Sequence, residues 1–393
     1  MAYRPRIAVG IDVGTHQVRV VIAREAEGRA SVFPKIIGTG VTESKGLRHG
    51  YIVNGDDVTR AIRMAAAQAE KLAGVRVKTA FLAIGGIGLD EVRGRGEVIV
   101  GRADAEVTEL DVDKAIDASR AAVTGRLTNR KILHTIPLSY SIDGNEILGR
   151  PTGMKGTKLA VETLFVTCLE QHVDDLIEAV EAADIAVADT MASPLAGSIV
   201  TLSNAEKKAG CVLANIGAET VSIVVFDNGV PISVKVFRIG SMDITKDIAL
   251  GLRISLEEAE QLKLGALLNT PYPKKKLDDI LAARLSDIFE LIDGHLKKLG
   301  KDRLLPAGII LSGGGSGIGP IKELAESSLK LHSKIASLNL PPDAKMKDSS
   351  WAVAYGLTIW GLTGDTYARP GTANEALGDI GKSIGTFFRQ FLP

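Results

Sequence analysis

A strand, a glycine-bearing turn and a second strand occur together twice in this chain, once near Asp12 and again near Asn215. Within Arg6 to Ala23 the pattern is IAVGIDV, GTH, QVRVVIA, two Val- and Ile-rich arms bent at Gly14. After Lys208 it returns as GCVLANIGAETVSIVVFDNG, and Asn228-Gly229 marks the next hairpin turn. A pattern repeated at this scale argues for duplicated halves. Two lobes with a cleft between them are the natural architecture, and the 393 residues are enough to build both.

Helical periodicity fills the space between. Asp57–Ala73 stops at Gly74, Glu109–Thr124 and Glu170–Ala183 follow, Ile244–Leu268 is interrupted by Pro271 and Pro273, and Leu277–Leu299 resumes. Strands are expected from Thr79, over Lys131–Asp143 and over Leu159–Cys168. Late in the chain, GIILSGGGSGIG reads as a buried strand opening into a glycine loop and a helix from Pro320; Ser350–Leu362 is a last apolar helix. Hydrophobic residues make up 45% and charged residues 24%, which suits a chain with a full core. Lys plus Arg and Asp plus Glu are both 47, so the basic excess of a nucleic-acid binder is missing. Cys168 and Cys211 lie in apolar strand-like runs and read as buried reduced thiols. The start lacks the unbroken apolar core of a secretory signal, and no stretch suits a bilayer span, so a cytosolic protein is expected.

Three segments are placed to cradle a nucleotide. The first is Asp12, Gly14 and Thr15, followed by His16 and Gln17: glycine lets backbone N–H groups approach phosphate, Thr15 adds a hydroxyl, and Asp12 can hold magnesium through water. The second is Asn215, Gly217 and Thr220, with Ala218 and Glu219 between them. The third is Gly313, Gly314, Gly315 and Ser316, between an apolar strand and a helix whose N-terminus suits an anion. Taken singly, each is as consistent with an ordinary turn. Their order makes a constellation, and that order resembles the superfamily of actin, sugar kinases and seventy-kilodalton heat-shock ATPases. The resemblance implies that both hairpins are phosphate loops and that the late glycine loop meets adenosine.

Within that superfamily the chain resembles the FtsA family of bacterial cell-division proteins over nearly its whole length. KILHTIPLSYSIDG followed by GRPTGMKGTKLAVETLFVT looks like the family's insert, with its "ILH" and "GMxG" hallmarks, and DITKDIALGL and AEQLKLG resemble the upper second lobe. The implied fold is α/β: an actin-like ATPase of ribonuclease H-like duplicated halves, two lobes around a nucleotide cleft, with the FtsA-type insert subdomain. Its expected parts are 1–85, 168–208 and 342–363 (first lobe core), 86–167 (insert), 209–243 and 302–341 (second lobe core), 244–301 (upper second lobe), 364–376 (linker) and 377–393 (membrane-targeting helix). Implied ligands are ATP and Mg2+. Implied partners are the C-terminal tail of the tubulin-like FtsZ, a second copy in a head-to-tail filament, later division proteins and membrane lipid, on the cytoplasmic face of the cell membrane at the division septum. The FtsZ site would lie in Ile244–Lys301, where Lys274-Lys275-Lys276 reads more simply as a solvated loop.

The chain departs from the family where chemistry is concentrated. Asn215 stands where aspartate is usual, Ala218 and Glu219 replace glycines, and Ser193 replaces a glutamate, so Asp12 alone remains of three acidic groups around the metal. Glu219 beside bound phosphate would cost roughly 4 kcal/mol at about 4 Å unless it turns away. Slow or absent hydrolysis is therefore expected. Glu260 and Lys263, three apart on a helix, face one way; the superfamily uses such a pair at ribose and adenine, the alternative being a solvated charge pair.

The tail is the second signal. Leu377, Ile380, Ile384, Phe387, Phe388, Phe391 and Leu392 fall within an arc of about 140° on a helix, with polar residues opposite. After a turn-rich linker this reads as an interfacial membrane anchor, whereas docking on its own domain is the commoner fate of such helices. Gly378, Gly381 and Gly385 cost about 1 kcal/mol each, so the segment should fold only on lipid. A small-molecule kinase, a PilM-like pilus-assembly component without an anchor and a chaperone ATPase are the competing readings.

Overall fold

The computed structural model describes residues 5–26, 33–266, 272–338 and 348–363. The linker and the whole tail, including Leu377, Ile380, Ile384, Phe387, Phe388, Phe391 and Leu392, lie outside them.

Two five-stranded sheets share one topology. In the first, Ile7–Val13 is central: Gln17–Arg24 and then Lys35–Glu43 pair antiparallel on one side, Thr79–Ile84 and then Ala186–Ala192 parallel on the other. In the second, Cys211–Ile216 is central: Val221–Asp227 and Val230–Phe237 lie antiparallel on one side, Ile309–Ser312 and Ser333–Ile335 parallel on the other. The duplication expected from the two hairpins is therefore complete at the level of strand order.

Strand alternation distributes the cores. Cys211 and Leu213 point to one face and pack into the large core shared with the first sheet, while Val212, Ala214 and Ile216 point to the other. On that second face lie the helices Ser241–Leu252, Lys274–Lys298 and Ile321–Leu329. The helix Ser193–Thr201 contacts Cys211–Ile216 and Val221–Asp227 of the second sheet, Ala352–Thr363 contacts Ile7–Val13 and Gln17–Arg24 of the first, and the two helices contact each other. Ala352–Thr363 is buried on every side, which explains why it is apolar all round rather than on one stripe.

Between Thr79–Ile84 and the helix Glu170–Glu181 the first lobe carries a separate four-stranded sheet, ordered Leu89–Ile99, Lys158–Leu169, Arg130–Ile142, Asn145–Ile147, backed by the helix Glu109–Ala121. Leu89–Ile99 is a strand that the sequence does not announce, because its glycines and alternating charges look like loop. The Gly153–Gly156 turn is pinned by Gly153 N–H donating to the Val107 carbonyl (2.9 Å) and Val107 N–H to the Met154 carbonyl (2.9 Å).

The stretch expected to be one helix from Ile244 to Leu268 is two, Ser241–Leu252 and Leu256–Lys263. Arg253 adopts a left-handed conformation (φ 58°), and the Ser255 hydroxyl and Glu258 carboxylate cap the second helix reciprocally. Lys274-Lys275-Lys276 forms an exposed first helical turn, not a loop.

His134, of the "ILH" run, explains how the insert reaches the lobe core. Buried at 1% exposure, its Nε2 accepts a 2.9 Å hydrogen bond from Ala192 N–H, one residue before the helix that begins at Ser193. Burial pushes its pKa down to about 3. Between about pH 6.5 and 3 the unfolded chain takes up a proton that the fold refuses, so acid destabilises through this group. His134→Leu is expected to lower stability at pH 7 by about 1–3 kcal/mol, by stranding the Ala192 amide, and to lessen the acid sensitivity. Urea unfolding at pH 7 and pH 5 measures both; an unchanged midpoint at pH 7 would contradict the assigned role.

Candidate functional site

The two hairpins meet at one cleft. Gly14 N–H donates to the Gln17 carbonyl (3.1 Å), and Gly217 N–H donates to the Thr220 carbonyl (2.9 Å), so both turns close in the same way. A Cβ on either glycine would stand 2.9 Å from that carbonyl oxygen, closer than side chains tolerate. Behind the second turn, Ser241 N–H and Met242 N–H donate to the carbonyls of Gly217 (2.9 Å) and Ala218 (2.8 Å), fixing it to a helix N-terminus.

The cleft has a volume of about 410 Å³. Of the residues singled out from sequence, Asp12, Gly14, Thr15, His16, Gln17, Asn215, Gly217, Thr220, Glu260, Lys263, Gly313 and Gly314 line it. Gly315 and Ser316 do not. They are buried beneath the loop, where Ser316 Oγ donates to the Gly313 carbonyl (2.7 Å), so they shape the loop and do not face the cavity. The expected helix N-terminus also stands off, because a short 3-10 turn at Gly314–Gly317 precedes the helix Ile321–Leu329.

Glu260 and Lys263 are not a solvated pair. Lys263 Nζ, 6% exposed as a residue, donates to Glu260 Oε2 (2.6 Å), Thr245 Oγ1 (2.9 Å) and the Ser241 carbonyl (3.2 Å). Thr245 Oγ1 also donates to Glu260 Oε2 (2.6 Å). Burial works to raise the Glu260 pKa, but the hydrogen bonds from Lys263 and Thr245 outweigh it and hold the carboxyl below its ordinary value.

Glu219 turns out of the cleft. Its Oε2 accepts the His49 backbone N–H (2.6 Å) and Arg48 Nη1 lies 3.7 Å from Oε1, so the carboxylate ties the second turn to the first lobe. The anion repulsion expected from sequence is removed by this contact across 170 residues.

Sequence reasoning missed Arg19 and Asp348, which also line the cleft. The hairpin register pairs Asp12 with Arg19, as it pairs Asn215 with Ser222. Directly paired residues share a face, so counting back across the turn would have found Arg19. Arg19 Nη2 donates to Gln17 Oε1 (2.6 Å), its guanidinium lies 5.8 Å from the Trp351 ring centre, and its Nε is buried without a partner among the described residues. Burial lowers the Arg19 pKa, and the charges of Asp12 and Asp348 oppose that. Asp348 accepts from Ser350 N–H (2.9 Å) and Oγ (2.7 Å).

A magnesium ion does not fit this donor set. No group of three His, Cys, Asp or Glu able to hold a metal occurs among the described residues. The Asp12 carboxyl faces an arginine, and a +2 ion about 5 Å from a guanidinium is opposed by roughly 7 kcal/mol at an effective dielectric near 20. Asp12, expected from the motif as a metal ligand, has Arg19 as its cross-strand neighbour and feels its charge.

Burial pushes the Asp12 pKa up to about 6, against the pull of Arg19. From about pH 4 to 6 the unfolded chain releases a proton that the folded chain keeps, so stability falls as pH rises through that window. Asp12→Asn is expected to abolish this fall and to stabilise the protein above pH 6 by up to about 3 kcal/mol, with no gain below pH 4. Thermal unfolding across that pH range checks it; a variant less stable than the parent at pH 7.5 would contradict it.

Comparison with known proteins places this geometry. The family model "Cell division protein FtsA" matches residues 212–356, and "SHS2 domain inserted in FTSA" matches residues 89–167. Cell division protein FtsA of Bacillus subtilis (strain 168) is 30% identical over 352 residues, covering 84% of this chain and 78% of that protein. FtsA of Neisseria meningitidis serogroup B is 30% identical over 353 residues, covering 84% of each. FtsA of Pseudomonas aeruginosa is 28% identical over 384 residues, covering 91% of this chain and 89% of that protein. Among solved structures, the PilM-PilN type IV pilus biogenesis complex superposes with a TM-score of 0.67 at 17% identity, over 90% of this chain and 98% of that one. The ethanolamine utilization protein EutJ from Carboxydothermus hydrogenoformans gives 0.54 at 14%, over 91% and 90%. These likenesses show the fold, which is α/β and actin-like with the SHS2 insert.

Proposed function

Because the chain belongs to the FtsA family of cell-division proteins, we propose that it is a nucleotide-binding, polymerising adaptor that holds FtsZ filaments to the cytoplasmic membrane at the septum. The observation that carries the nucleotide part is the convergence of two identically closed glycine turns and the Gly313–Gly314 loop on one cleft. Asp12, Gly14, Thr15, His16, Gln17, Asn215, Gly217 and Thr220 would surround the phosphates of ATP, while Glu260, Lys263, Gly313 and Gly314 would meet the nucleoside. Gly315 and Ser316 would support that loop from beneath. The bound nucleotide supplies negative charge between the lobes, and the residues around it supply positioning. Asn215 and Ser193 offer no carboxylate to activate water, so turnover is slow or absent. The same two residues disfavour a sugar-kinase activity.

FtsZ recognition is assigned to 244–301, which carries exposed Leu250 and Leu256 and the exposed Lys274 turn. Self-association would be head to tail, giving an open filament. No helix among the described residues is long and apolar enough to cross a membrane. Attachment is assigned to the segment 377–393 on its amphipathic pattern. One such helix binds reversibly; a filament carrying many gains avidity of about 10²-fold or more. A PilM-like role shares the fold, but the match of 89–167 to the FtsA insert favours cell division.

The chain cut after Asn374 is expected to stay folded and to lose pelleting with liposomes that the full chain shows. Equal pelleting of the two forms would remove the tail as anchor.

A further inference from the structure

Resting on the nucleotide reading above, we propose that this cleft takes the phosphates of its nucleotide without a divalent cation, and that Arg19 is the built-in counter-charge. The hairpin register sets Arg19 directly opposite Asp12, at the end of the strand that opens into the Gly14 turn. The guanidinium lines the same cavity as Gly14, Gly217 and Gly313. Its Nε has no partner among the described residues although it is shielded from solvent, and a buried N–H of that kind is costly until an acceptor arrives. Gln17 and Trp351 hold the group in place from the side and from one face.

Asp12 and Asp348 flank the guanidinium, and the rest of the lining between the two turns carries no further carboxylate. At the equivalent place in the second hairpin, the pair is Asn215 and Ser222, both neutral. Ser193 is neutral as well, and Glu219, the remaining carboxylate of the second turn, is drawn away by His49 and Arg48. Lys263 is committed to Glu260 and cannot serve the phosphates from its present position. Arg19 is therefore the cation available between the two turns among the described residues. A guanidinium matches phosphate oxygens bidentately and, unlike magnesium, needs no carboxylate ligands of its own. Asp12 then acts as the residue that keeps Arg19 in position when no phosphate is bound, not as a metal ligand.

The experiment is calorimetric titration of the full-length protein with ATP, ADP and adenosine, in magnesium and in EDTA. ATP affinity is expected to agree within about twofold between the two buffers, and Arg19→Gln is expected to weaken ATP at least about tenfold while leaving adenosine unchanged. Arg19→Lys should lose less, and retained adenosine binding shows that the variants are folded. Asp12→Asn fixes the sign: it tightens or preserves ATP binding if Arg19 is the counter-charge and weakens it if Asp12 ligates magnesium. ATP binding that requires magnesium, or that survives Arg19→Gln unchanged, overturns the proposal and leaves the nucleotide reading standing. Failure of ATP, ADP and adenosine to bind in either buffer overturns both.

Discussion

The short backbone bond inside each glycine turn, Gly14 to Gln17 and Gly217 to Thr220, is the constraint from which the molecule is built. Each bond folds a central strand directly back on its neighbour and leaves the turn at the end of the sheet, on the cleft. Strand for strand the surrounding sheets repeat the same order, so the two turns arrive at one cleft by symmetry of construction. The helices Ser193–Thr201 and Ala352–Thr363 fill the layer between the sheets and fix how closely the turns approach. Their apolar surface is as much a part of the site as the glycines.

Charge in the cleft is arranged unlike a metal-centred phosphoryl-transfer site. There, several carboxylates surround a divalent ion and the field is made by the metal. Here the carboxylates between the turns, Asp12 and Asp348, flank a cation, Arg19, Glu260 is bonded to Lys263, and the acidic side chain of the second turn is taken up by a contact between lobes. The Glu219 contact has a structural consequence: closure of the lobes is held partly by protein groups, through His49 N–H and the Arg48 guanidinium. The insert adds a second tie between lobes, where Glu91 accepts from Val234 N–H (2.6 Å) and Ser233 Oγ (2.8 Å), and Lys235 pairs with Asp90 (2.9 Å).

Much of this was legible in the chain. The two hairpins, the long helices with the Gly74 stop of the first, and the GIILS strand before the glycine loop carry local signals that do not depend on distant partners. Leu89–Ile99 was illegible because its glycines face the helix behind the sheet: a Cβ on Gly96 would meet the Ala115 carbonyl at 2.0 Å. The break at Arg253 was hidden because a non-glycine residue takes the left-handed conformation there. Gly315 and Ser316 matched a motif, yet their exposure depended on how the following turn folds under the loop.

By itself the sequence determined the duplicated α/β architecture and singled out fourteen cleft residues, twelve of which share the cavity, because periodicity and turn chemistry are local properties. Only the tertiary structure decided what each charged side chain does there. Glu219 turns toward His49, Lys263 is buried against Glu260 and Thr245, and Arg19 stands between Asp12 and Asp348. The physical reason is that the energy of a charge depends on burial and on the nearest opposite charge, and partners such as Asp348 for Arg19 lie hundreds of residues away along the chain.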